Sequence, residues 1–138
     1  MFLLDTNVVS EMRKTRPHGG LAAWISATSE SLHFVSAVTL AEMQAGAEIT
    51  RRQDRQKAGE IDQWIDSVVD NYRILPMGAE EFREWAVIME TASDTLMMDA
   101  MIAATARVHH LTIATRNTRD FESFDVEVYD PFTCLGSA

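Results

Sequence analysis

Asp5, Glu42 and Asp99 are the side chains in this chain whose types and surroundings best suit chemistry, with Asn117 and Asp120 close behind. Asp99 raises the question most sharply. It opens the stretch "DAMIAATA", in which Ile102, Ala103 and Ala106 stand three, four and seven residues on and so share a helix face with it. A carboxylate turned toward such an apolar stripe is costly unless something offsets its charge. Several carboxylates brought together also raise one another's pKa, a conflict that a divalent cation removes. Oxygen-rich sites of this kind suit Mg²⁺ or Mn²⁺.

The elements that must position these residues are legible in the hydrophobic pattern. "FLLD" (2–5), "LHFVSA" (32–37), "RILPM" (73–77), "LTIAT" (111–115) and "VEVYD" (126–130) are short apolar runs expected to be strands. Between them, Ile61, Trp64, Ile65, Val68 and Tyr72 keep helical spacing, as do Phe82, Trp85, Ala86 and Met89. Strands alternating with amphipathic helices predict an α/β domain whose mostly parallel sheet of about five strands is covered on both faces. Ligands of such sheets sit beyond the carboxyl ends of the strands. Asp5 closes the first strand, Glu42 is placed at the start of the helix after the second, Asp99 lies about one turn into the helix before the fourth, and Asn117 and Asp120 follow the fourth. Four segments therefore deliver oxygen ligands to one edge.

Each residue also has a purely structural reading. Asp5 could cap a helix starting near Asn7, and Thr39-Leu40-Ala41-Glu42 matches a capping box. Asp99 could complement a helix dipole, while Asn117 and Asp120 are common turn residues. What these readings leave unexplained is the shared address.

Composition bounds the rest. The 138 residues, 46% hydrophobic and 24% charged, suit one domain over 1–138, with a tail expected from about 131 that would include Cys134. A single cysteine rules out an internal disulfide framework, and "MFLLDTNVV" lacks the basic start of a secretory leader. Uncharged runs such as Ser31 to Ala41 stay far short of the roughly 18 residues a membrane span needs. A cytoplasmic protein with no membrane partner is expected. The net charge of -9 argues against broad adhesion to nucleic acid but leaves room for local basic patches. Histidines 18, 33, 109 and 110 show no metal-binding spacing and are expected to be solvated or locally hydrogen-bonded. Met97, Met98 and Met101 read as core filler or an oligomer contact.

The motifs "LLDTNVVSE", "TLAEMQAG" around Glu42, "DAMIAATA" from Asp99 and "TRNTRDF" from Thr115, in this order and spacing, resemble a PIN-domain ribonuclease of the VapC toxin type, close to the FitB-like branch, over essentially the whole chain. The resemblance implies a three-layer α/β/α fold, Mg²⁺-dependent endoribonuclease activity with Mn²⁺ able to substitute, and a cognate VapB-like antitoxin. It places metal-binding acids at Asp5, Glu42 and Asp99, with Asn117 at the fourth position and Asp120 as the competing choice. Asp5 and Asp99 are expected as principal ligands, with Glu42 binding through water or orienting the nucleophile and Thr6 and Thr115 supporting them. RNA would be held by Arg13, Lys14, Arg51, Arg52 and Arg116, the cations nearest these segments. A homodimer and a toxin–antitoxin hetero-oligomer are expected, with Met43, Ile49, Trp64 or Val68 on the contact faces. The competing function is a PIN scaffold that binds RNA or protein without cutting. Phosphotransfer domains with an acid after the first strand fit less well, because Asn7 and Arg116 occupy positions where they need an acid and a lysine.

Overall fold

The computed structural model describes residues 1–134. Five parallel strands form one sheet in the order β3-β2-β1-β4-β5: β1 (Phe2–Leu4), β2 (His33–Ser36), β3 (Arg73–Leu75), β4 (Thr112–Ala114) and β5 (Val128–Tyr129). All five expected strands are present, each trimmed to the residues that pair.

Side-chain alternation divides the sheet into two apolar faces. Leu3, Phe34, Leu75 and Ile113 point one way, against α5 (Ala79–Met89), α6 (Met97–His109) and α7 (Thr118–Phe121). Leu4, Val35, Ile74 and Ala114 point the other way, against α1 (Thr6–Met12), α2 (Gly19–Ala27), α3 (Ala37–Arg51) and α4 (Arg55–Asn71). The result is the three-layer α/β/α arrangement. Helix α6 approaches the sheet closely because its inner residues are small: Ala100, Ala103, Ala104 and Ala106 are fully buried beside Ile102.

Some expectations need correction. The cap of α3 is Ser36, whose hydroxyl accepts from the Val38 amide at 3.1 Å, so Thr39 and Glu42 lie inside the helix and form no capping box. Met43 and Val68 are core residues and offer no contact face, whereas Ile49 is 63% exposed. The expected tail begins with a 3-10 turn, Pro131–Thr133, that buries Phe132 against α2; residues 135–138 lie outside those described. Packing is tight there, since a Cβ on Gly20 would collide with the Phe132 carbonyl. Among the described residues, no helix is long and apolar enough to cross a membrane.

Candidate metal centre

Strand register builds the site. Leu4 pairs with Val35 on one side and Ala114 on the other, so Asp5, Ser36 and Thr115 form the next row, beyond the carboxyl edge. The Asp5 amide closes the ladder by donating to the Ala114 carbonyl at 2.9 Å. Asp5 also caps α1, so the structural reading of this residue and its place at the ligand-binding edge hold together.

The Asp5 carboxylate is 4% exposed and accepts three hydrogen bonds: from the Thr6 amide at 2.8 Å, from Asn7 Nδ2 at 3.0 Å and from the Thr115 hydroxyl at 2.8 Å. Thr115 Oγ1 in turn accepts from the Asn117 amide at 2.9 Å and from Asn7 Nδ2 at 3.3 Å. Asn7 Oδ1 accepts from the Arg116 amide at 3.2 Å, tying the loop after β4 to the start of α1. On the other side, the Thr6 hydroxyl donates to Glu42 Oε1 at 2.9 Å and lies 3.1 Å from the Thr39 hydroxyl. Thr6 and Thr115 thus each donate a hydroxyl to one of the acids, Glu42 and Asp5 respectively. The structural parts of Asn7 and Thr39 are not legible from residue type alone, although an Asn two residues after a capping Asp is a local signal for the first.

The electrostatics of these acids run together. Burial raises the Asp5 pKa despite its three donors, and the charge on Asp120 raises it further. Glu42 is also raised, first by burial and then by Asp5, against the lowering hydrogen bond from Thr6. Asp99 is pushed up to about 6 by burial, followed by the charges on Asp5, Asp120 and Glu42. Among the described residues, no lysine, arginine or histidine pairs with any of these four carboxylates. Four mutually repelling acids without a counter-charge are a donor set that fits a divalent cation.

They are not drawn up as a closed cage. Among the described residues, no three carboxylate, imidazole or thiol side chains are gathered tightly enough to hold an ion by themselves. Mg²⁺ is commonly held by one or two carboxylates together with waters and substrate phosphates. Asn117 is exposed and its side chain makes no hydrogen bond among the described residues, while Asp120 is half-buried and its charge raises both Asp5 and Asp99.

The basic residues divide in the same way. Lys14 is paired with Glu11, and Arg51 with Glu48 and Asp62, so their charges are already engaged. Arg51 and Arg52 also lie about 14 Å or more along α3 from Glu42. Arg13 lines a hollow next to Glu42, and the Arg116 guanidinium lies 4.6 Å from the centre of the Phe132 ring, close to the site. Of the histidines, His18 caps α2, His109 contacts Glu81, His110 ends α6 in the left-handed conformation, and His33 is buried on Trp24 with Nε2 bonded to Thr28.

Comparison with known proteins gives a consistent picture. The PIN domain family model matches residues 2–127. A VapC ribonuclease of Sinorhizobium fredii is 34% identical, over 96% of this chain and 98% of its own. Toxin FitB of Neisseria gonorrhoeae is 33% identical, over 96% of this chain and 99% of its own. The crystal structure of FitAcB from Neisseria gonorrhoeae superposes with a TM-score of 0.85 at 32% identity, covering 96% of this chain and 99% of the other.

Proposed function

This chain belongs to the PIN domain family, and on that footing we propose that it is a divalent-metal-dependent endoribonuclease and the toxin of a toxin–antitoxin pair. The observation that carries the proposal is the unneutralised cluster of Asp5, Glu42, Asp99 and Asp120 at the carboxyl edge of the sheet. Asp5 and Asp99 are the principal metal ligands in this reading. Glu42, held by Thr6, orients a water and accepts its proton, and its raised pKa suits that task. Asp120, supported by its coupling to Asp5 and Asp99, is favoured over Asn117 as the fourth group. When bound, Mg²⁺ or Mn²⁺ supplies charge stabilisation to the phosphate and lowers the pKa of water. Thr115 and Asn7 keep Asp5 in one orientation, which spares the site reorganisation during the reaction. Arg13 and Arg116 lie where they can contact the RNA backbone.

A VapB-like antitoxin restrains the enzyme, with a basic side chain pairing with the acids where the metal would sit. Exposed Phe82, Met97 and Met98, near Trp85 on the α5–α6 face, support a homodimer. An RNA substrate supports action in the cytoplasm. The test is incubation of purified protein with total RNA in Mg²⁺ or Mn²⁺, with cut ends mapped and EDTA and Asp99→Asn as controls. RNA bound but left intact in both metals would favour the non-cutting scaffold.

A further inference from the structure

The hollow lined by Arg13, of about 200 Å³, adjoins the carboxylates and includes Glu42 and its partner Thr6. Its other walls include Gly46 of α3, and Ile61 and Trp64 of α4. Three features of this hollow are unexplained by the fold. Gly46 lies within a 15-residue helix, where glycine is unfavourable, yet a Cβ there would meet nothing within 4 Å and its φ is not positive. Neither packing nor backbone conformation requires glycine at this position. The Trp64 Nε1 is buried without a hydrogen-bond partner among the described residues. Arg13, at the same hollow, makes no ion pair among the described residues.

We propose that this hollow is a nucleobase subsite, receiving the base of a nucleotide adjacent to the phosphate held at the carboxylates. The proposal rests on the ribonuclease reading and specifies how the RNA strand is seated. Gly46 leaves room for the ring, Trp64 offers it a stacking surface, and Arg13 meets the attached backbone phosphate. A base carbonyl supplies the acceptor that the indole N–H lacks among the described residues. The volume lies below the range of about 300–1,000 Å³ typical of drug-sized ligands and suits a single planar ring system. An apolar side chain from a protein partner would leave both the indole N–H and Arg13 unsatisfied, so the chemistry favours RNA.

Anisotropy of fluorescein-labelled RNA hexamers, in Ca²⁺ with their integrity checked on gels, tests the assignment. Removing one base at the seated position is expected to weaken binding to the wild-type protein about tenfold and to have no effect on Gly46→Leu. Gly46→Leu should itself bind the intact hexamer about tenfold more weakly. Because leucine favours helix more than glycine, its melting temperature should not fall, which excludes misfolding as the cause. Trp64→Phe, which keeps the ring and loses the N–H, should lie between wild type and Trp64→Ala. Hexamers lacking any single base that bind wild type as tightly as the intact one overturn the proposal. So does a Gly46→Leu protein that binds RNA normally but no longer captures the antitoxin, because the hollow then belongs to the protein partner. Base-dependent binding without cleavage in Mn²⁺ would sink the ribonuclease reading and leave the subsite standing, whereas cleavage without any base effect would do the reverse.

Discussion

Replacing Asp99 with Asn separates two roles for an acid in the first turn of a helix. As a complement to the α6 dipole, the carboxylate would stabilise the fold by about 0.3–1 kcal/mol, and the amide would weaken it. As a member of an unneutralised acid cluster, it acts in the opposite direction. Its pKa stands at about 6 against an ordinary 3.8, raised by burial and then by Asp5, Asp120 and Glu42. A displacement of that size corresponds to about 3 kcal/mol, which solvent access at this half-buried side chain reduces to about 1–2 kcal/mol. Since the pKa is raised on folding, the favourable contribution is complete below about pH 3.8 and is lost as the pH climbs through about 6. At pH 7.5 in EDTA the wild-type protein therefore carries the full penalty, and Asp99→Asn escapes it. The variant is expected to melt roughly 3–8 °C higher under those conditions. The gap should shrink steadily as the pH is lowered below 6. Saturating Mg²⁺ should reverse the order, because binding to the native state stabilises the wild-type protein alone. Calorimetric melts across this pH range, with and without metal, measure all three effects. A variant less stable than wild type at pH 7.5 in EDTA would refute the cluster argument and return Asp99 to the dipole role.

Cleavage of RNA should require Mg²⁺ or Mn²⁺ and stop in EDTA. Asp5→Asn and Asp99→Asn should each lower the rate more than about a hundredfold, or about 3 kcal/mol, and full activity in EDTA would remove the metal from the mechanism. Asp120→Ala is expected to weaken Mn²⁺ binding, measured by calorimetric titration, more than Asn117→Ala does. The opposite ranking would restore Asn117 as the fourth group. Thr115→Ala should cost about 1–3 kcal/mol in urea unfolding, since it strips a donor from Asp5 and an acceptor from the Asn117 amide. Gly46→Ala should stabilise the fold by up to about 1 kcal/mol, seen as a higher melting temperature.

The strands were legible because a buried parallel sheet demands short apolar runs such as "FLLD" and "LTIAT", whereas their order in the sheet was not. The common address of Asp5, Glu42 and Asp99 followed from that pattern together with the rule that ligands gather at carboxyl ends. Features that depend on three-dimensional packing did not follow. Thr39 and Glu42 match a capping box letter for letter, but Ser36 caps three residues earlier because β2 ends there. Nothing in the spacing "RNTRD" ranks Asn117 against Asp120; the preference proposed above for Asp120 rests on its charge acting on Asp5 and Asp99. Trp64 sits on an amphipathic stripe that predicts core, and only the gap opposite Gly46 makes it the wall of a hollow. Lys14 and Arg51 read as available cations because sequence leaves undecided both their i,i+3 pairing with Glu11 and Glu48 and the contact of Arg51 with Asp62 on the next helix.

The strand order also bears on when this protein becomes dangerous to the cell that makes it. β1 lies at the centre of the sheet, and its two neighbours come from opposite ends of the chain: β2 is made early, and β4 is complete only at residue 114. A nascent chain that has emerged only as far as α5 carries Asp5 and Glu42 but lacks Asp99, Thr115 and Asp120, so its cluster is half-formed and Asp5 has lost a principal donor. On the proposed function, activity is therefore expected only from a chain synthesised nearly to its end, and RNA cleavage by a fragment that stops at α5 would contradict that assignment.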